Sequence, residues 1–244
     1  MKYMKKYLLF VVLFIASVLT TIAQDNVKRY ELNVGPFSSL RIIDKIDVVY
    51  ACNPDSAGLV VFDSSQDMAD MLMFNNSKGK LTIQVATEVV GNPDLPTVYV
   101  YSEFLQYAEN GSDSTLRILS VAPISEFKLK LSGNGRIMAH GLKGTTVSVN
   151  IVTGNGLIIV DGECNTAKLG NLGTGEIQAD RLVAKDVECK LIGTGTIGCN
   201  VSNKLVVKGT GTGRVYYKGQ PKEYKKYHIG PIKVIPLDEQ EATI

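Results

Sequence analysis

A five-residue phrase, Gly-x-Gly-x-Ile or its Val variant, returns through the second half of this 244-residue chain. Nothing else in the sequence restricts the fold so tightly, because a short repeat at a fixed period means stacked identical units. The copies are Gly133-Asn134-Gly135-Arg136-Ile137, Gly154-Asn155-Gly156-Leu157-Ile158, Gly173-Thr174-Gly175-Glu176-Ile177, Gly193-Thr194-Gly195-Thr196-Ile197 and Gly211-Thr212-Gly213-Arg214-Val215. Their first glycines stand 21, 19, 20 and 18 residues apart, with a weaker earlier copy around Gly111 and Ile118. A period near 20 is the length of one solenoid turn.

What lies between the copies decides between helical and strand solenoids. Phe127-Lys128-Leu129-Lys130-Leu131, Val147-Ser148-Val149-Asn150-Ile151 and Val187-Glu188-Cys189-Lys190-Leu191 alternate with period two, the signature of half-buried strands. Short second strands follow each phrase, as in Ile137-Met138-Ala139 and Ile177-Gln178-Ala179. No segment sustains the helical period. The expected fold is all-β, a parallel β-helix of about 20 residues per coil whose strands pair one coil away at about 4.8 Å. The glycines then form a sharp corner. Asn134, Asn155, Thr174, Thr194 and Thr212 should stack outside it as a polar ladder, and His140, Asp161, Asp180, Asn200 and Lys218 should line a second corner.

The N-terminal part is less regular. Leu40 to Ile42, Ile46 to Tyr50, Leu59 to Phe62, Leu81 to Val85 and Val98 to Tyr101 read as strands, and Ser65 to Phe74 as one short helix. These segments should begin and cap the same solenoid, making residues 24–236 one domain, with a polar tail over 237–244. About ten rungs and a body near 50 Å follow from the strand spacing.

Residues 1–23 read as a secretory signal peptide: Lys2, Lys5 and Lys6 precede the apolar run Leu8 to Leu19, and Thr21-Ile22-Ala23 offers the cut. The run is short for a membrane-spanning helix, which needs roughly 20 residues. The first cysteine is Cys52, so no lipoprotein cysteine stands at the cut. Periplasmic, outer-surface or extracellular location is expected, with no transmembrane segment after cleavage. Losing those three lysines turns 26 basic and 24 acidic side chains into 23 and 24. A near-neutral chain of that kind is no nucleic-acid binder.

Few residues suggest chemistry. Gly193 to Gly198 satisfies the dinucleotide fingerprint, yet no helix follows to receive a pyrophosphate. The Gly-rich repeats lack the aspartate that calcium β-rolls place in each copy. Asp161 and Asp180, one coil apart, would set two carboxylates roughly 5 Å from each other, a spacing suited to a metal or to a glycosidase pair; the favoured reading is a solvated turn column. The densest aromatic and basic cluster, Tyr216, Tyr217, Lys218, Tyr224 and Tyr227, is a candidate contact for glycan or protein, or else a solvated end cap. Cys189 and Cys199 fall in inward phase and read as small hydrophobes; a Cys189–Cys199 or Cys164–Cys189 bridge is the alternative, and Cys52 has no assigned pairing. No metal and no cofactor is expected.

The opening Phe37-Ser38-Ser39-Leu40-Arg41-Ile42, the recurring phrases and the closing Val215-Tyr216-Tyr217-Lys218-Gly219-Gln220-Pro221 resemble a family of secreted bacterial proteins, common among Bacteroidetes, described as putative auto-transporter adhesins with a head GIN domain. The resemblance spans roughly Tyr30 to Pro236, although such proteins often carry Ser between the two glycines, where this chain has Asn or Thr. It implies a right-handed parallel β-helix and little about activity; the extended solenoid faces themselves lead to the expectation of a non-enzymatic, adhesin-like surface for an envelope glycan or protein. A carbohydrate-active enzyme using Asp161 and Asp180, and a structural periplasmic protein, are the competing expectations.

Overall fold

The computed structural model describes residues 27–86 and 95–237. The signal peptide expected over residues 1–23 and the tail beyond Leu237 lie outside the described residues. The chain runs β1 (Lys28–Asn33), β2 (Ser39–Ile42), β3 (Val48–Cys52), a 3-10 turn (Pro54–Ser56), β4 (Leu59–Ser64), α1 (Gln66–Asp70), β5 (Leu72–Ser77), β6 (Lys80–Val85), β7 (Val98–Ser102), β8 (Tyr107–Asn110), β9 (Thr115–Ser120) and β10 (Ile124–Ser132). It continues through β11 (Arg136–Thr153), β12 (Leu157–Asn171), β13 (Glu176–Gly193), β14 (Thr196–Gly211), β15 (Arg214–Lys218), β16 (Glu223–Ile229) and β17 (Lys233–Pro236).

Two columns of parallel strands result. The first stacks β6, β2, β8, β10, the second halves of β11 to β14, and β16. The second stacks β7, β3, β9, the first halves of β11 to β14, β15 and β17. The fold is a β-solenoid with about six turns of roughly 20 residues, and each column is nine strands deep against the ten rungs expected. Chain is spent at the N-terminal end on other work: after laying down β2 and β3 it doubles back to build β6 and β7 as the outermost layer, then crosses over to β8. Antiparallel strands close that layer, β5 on β6, β4 on β7 and β1 on β4. They shield an end that would otherwise expose core, and Tyr30, Phe62 and Phe74 stack there with ring centroids 5.2 and 5.7 Å apart.

The helix expected over Ser65 to Phe74 is confined to α1. Ser65 caps it by accepting from Met68 N, but Leu72 to Ser77 pair with β6 through a tight turn at Lys78 and Gly79, both at positive φ (53° and 75°). Hairpin pairing overrides the local helical tendency.

Inward residues repeat coil by coil. Leu129, Val149, Leu169, Cys189 and Val207 form one buried row, and the isoleucines of the phrase, Ile137, Ile158, Ile177 and Ile197, form another that ends on Val215. Each contributes about 1.5–3 kcal/mol of burial. The corner between the columns is equally repetitive. Gly154 sits at φ 91°, and a Cβ there would stand 2.2 Å from the Gly133 carbonyl oxygen. Gly175 has no unusual φ, yet its Cβ would lie 2.4 Å from the Gly156 oxygen. Close stacking allows the ladder to pass through the corner without a break, with Thr174 N donating to Gly154 O at 3.2 Å and Glu176 N to Gly156 O at 2.9 Å. At the second corner the chain stays extended through β11, β12, β13 and β14 and absorbs the bend as register shifts, instead of breaking into separate short strands.

Candidate functional site

The second corner carries a line of charges. His140 Nδ1 lies 2.6 Å from Asp161 Oδ2, and Gly141 N donates to Asp161 Oδ1 at 2.7 Å. Burial pushes the Asp161 carboxyl upward, but those hydrogen bonds and the charges of His140 and Arg181 outweigh it and hold the group below its ordinary range. Asp180 faces the other way along the solenoid, 2.9 Å from Lys218 Nζ two coils on. A register shift after Ile159 sets Asp161 opposite Arg181. The two carboxylates singled out by the sequence therefore engage separate basic side chains.

The aromatic and basic cluster divides among four places. Tyr217 is in register with buried Cys199, and Tyr224 with buried Leu205, so both continue inward rows into the last coil. Their rings stack with centroids 6.5 Å apart, and Tyr217 packs on the core cluster. Tyr216 pairs with Gly198 in the outward row of the second column, and Tyr227 with Lys208 on the first column. Lys218 belongs to the corner line. Sequence proximity joined five residues that the coil distributes over an end, two faces and a corner.

Strand register also assembles groups the sequence did not reveal. Glu109, only 6% exposed, lies in register with Arg41 of one neighbouring coil and Lys130 of the other. Its oxygens lie 3.1 Å from Lys130 Nζ and 3.5 Å from Arg41 Nε, and Tyr107 donates its hydroxyl at 2.8 Å. Burial raises the Glu109 pKa, yet Tyr107, Lys130 and Arg41 together hold it below the usual carboxylate range. Asn110 and Asn171, both fully buried, occupy the inward position just before the corner and stitch it. Asn171 Nδ2 donates to Gly175 O at 2.7 Å and Thr196 O at 3.3 Å, and its Oδ1 accepts from Gly173 N at 3.2 Å. An asparagine in a row of Leu131, Ile151 and Leu191 was the available signal.

The outer ladder at the glycine corner forms among the first members. Asn155 N donates to Asn134 Oδ1 at 3.1 Å, and Asn134 N to Asp113 Oδ1 at 2.9 Å. Asp113 extends that ladder one coil earlier, in a corner built from Ser112-Asp113-Ser114 where later coils have the glycine pair. A further turn, Gly230-Pro231-Ile232, stacks on Gly211 to Gly213, so Val234 follows Val215 in register; the 19-residue step from Gly211 was its signal.

All four cysteines are free thiols. Cys189 and Cys199 are buried in the inward rows expected of them. A hydrogen bond with Cys199 and complete burial hold the Cys189 thiol protonated, and burial raises Cys164 to about 11. Among the described residues, no helix is long and apolar enough to cross a membrane.

The family described as putative auto-transporter adhesin, head GIN domain, matches residues 36–221. No curated protein matches the chain. Among solved structures, a putative adhesin from Bacteroides fragilis NCTC 9343 has a TM-score of 0.80 at 18% identity, over 88% of this chain and 98% of that one. A putative lipid binding protein from Parabacteroides distasonis ATCC 8503 has a TM-score of 0.70 at 18% identity, over the same shares. A putative adhesin from the same organism has 0.70 at 17% identity, again over 88% and 98%. At such identities the likeness is one of fold.

Proposed function

Because this chain belongs to the putative auto-transporter adhesin, head GIN domain family, we propose that it is a non-enzymatic, adhesin-like module that acts outside the cytoplasm and binds an envelope glycan or protein along its length. The observation that carries this reading is the distribution of its polar groups. Two columns present evenly stepped side chains over about six turns, while the acids that could have formed a reaction centre are each engaged in place, Asp161 by His140 and Gly141 N and Asp180 by Lys218. A stepped, extended face suits a long partner better than a small molecule. Export follows from the leader over residues 1–23, cleaved after Ala23.

The test is a glycan-array screen of the chain beginning at Gln24, with every bound glycan recovered and inspected for cleavage. Retention of intact glycans is the expected result. Turnover that disappears in the Asp161→Asn, Asp180→Asn double variant would instead establish a carbohydrate-active enzyme. Silence on the array, together with resistance to protease added to intact cells, would favour a structural periplasmic role.

A further inference from the structure

Successive layers of the first column end, just before the glycine corner, on exposed aliphatic side chains. Val152, Leu172 and Ile192 are 40%, 40% and 41% exposed, and Ile229 is 76% exposed. Leu172 N bonds Ile151 O, which sets it beside Val152, and Thr210 stands in the ladder between Ile192 and Ile229. Neighbours in the ladder are about 4.8 Å apart. The outward face of such a strand is ordinarily polar, and single exposed aliphatics need no explanation. Three in consecutive layers, continued by a fourth, form a line of apolar surface along the solenoid axis.

Strand alternation places residues two and four positions earlier on the same face. Those two rows hold Lys128, Lys130, Lys168, Lys190, Lys208 and Lys225 against two carboxylates, Glu188 and, where the nearer row continues into β8, Glu109. Four of the six are paired, Lys208 with Glu188 at 2.8 Å, Lys130 with Glu109 at 3.1 Å, Lys128 with Glu126 at 3.0 Å and Lys225 with Glu223 at 2.5 Å, so the charge this face offers rests on the other two. Lys168 and Lys190 are exposed and have no ion pair among the described residues. On the other flank the corner is uncharged, with Asn155, Thr174 and Thr194. Tyr227, 59% exposed, stands in the lysine row nearest the ladder, beside Ile229.

An aliphatic line flanked by lysines and an exposed tyrosine matches a lipid–water boundary: branched side chains enter the acyl margin, lysine stems reach back to phosphates, and the tyrosine occupies the headgroup level. We infer that this face docks on an anionic lipid surface. The inference stands apart from glycan or protein recognition, because it rests on the ladder, the lysine rows and Tyr227 and uses no glycan or protein contact.

The test uses the chain from Gln24, which keeps the whole described fold while removing the apolar leader, in flotation with vesicles of phosphatidylcholine alone or mixed with equal phosphatidylglycerol. The protein should float with mixed vesicles, release as salt rises, and stay behind with phosphatidylcholine alone. Lys168→Gln with Lys190→Gln should weaken binding about thirty-fold, from about 1 kcal/mol per lysine near the surface. Leu172→Ser with Ile192→Ser should weaken it about ten-fold through lost apolar contact. Should the serine pair fail to fold, Ile192→Thr serves, since the ladder already holds Thr210. Three results would each overturn the inference: no flotation with mixed vesicles, binding unmoved by the ladder variants, or equal retention by an anionic polysaccharide that ignores the ladder.

Discussion

Replacing Gly175 with alanine isolates the tight stacking at the glycine corner from the conformational freedom for which glycine is usually invoked. The added Cβ would stand 2.4 Å from Gly156 O and 3.0 Å from Ile151 Cδ1. The obstructing atom is backbone, held in the coil below by the bond from Glu176 N at 2.9 Å. Restoring ordinary contact requires the coils to part by about 0.8 Å, which carries that bond beyond hydrogen-bonding reach. It also disturbs Gly175 O, which accepts from Asn171 Nδ2 at 2.7 Å and Thr196 N at 3.0 Å. Loss of two buried bonds at about 1–1.5 kcal/mol each, less about 0.5 kcal/mol for the stiffer unfolded chain, gives about 2 kcal/mol of destabilisation. The control is Gly79→Ala. Gly79 has φ 75°, and an added methyl there would have nothing within 4 Å, so only the left-handed penalty of about 1 kcal/mol applies. Urea unfolding followed by far-UV circular dichroism measures both; with no tryptophan and 11 tyrosines, tyrosine emission is the second probe. A Gly175→Ala midpoint at or above that of Gly79→Ala would refute the argument that coil contact, and not backbone dihedral, selects this glycine.

Asn171→Leu should destabilise by about 1–3 kcal/mol in the same assay even though its row neighbours are leucine and isoleucine, because Gly173 N loses its buried acceptor; a neutral or stabilising result would show that row packing outweighs corner stitching. Glu109→Gln should cost about 2 kcal/mol near neutral pH. The folded Glu109 pKa is depressed, so its contribution is present above the unfolded value of about 4.3 and lost as pH falls through the folded one. The gap between parent and variant should therefore close in acid, and a gap that persists there would contradict the ion-pair account. A thiol reagent under native conditions should modify half-exposed Cys52 well before buried Cys164, Cys189 and Cys199, with all four reacting after unfolding; two reactive thiols in the unfolded chain would reveal a bridge.

Much of the architecture was legible because its determinants are local and repeated. Period-two alternation fixes which side of each strand faces inward, and a 20-residue recurrence of Gly-x-Gly-x-Ile states that every coil resembles the last; both are readable one coil at a time. Cys189 and Cys199 are where that phase puts them. The N-terminal end was less legible, since nothing in Leu72 to Ser77 announces that pairing with β6 will override a short helix, or that β6 will lie outside β2. The candidate sites depended still more on tertiary structure. Tyr216 and Tyr217 are adjacent in sequence yet occupy opposite sides of a strand wall, and Tyr217 meets Tyr224 only because two columns converge at the last coil. Asp161 and Asp180 sit at equivalent positions of successive coils, but a one-residue register shift at the bend sets Asp161 opposite Arg181 and leaves each acid with its own basic partner. Glu109 finds Arg41 and Lys130 across 68 and 21 positions of chain. Alternation and repeat length are properties of a segment, so the sequence alone determined them; register at a bend is settled by hydrogen bonding between coils, and only the folded stack could decide which charges and rings would meet.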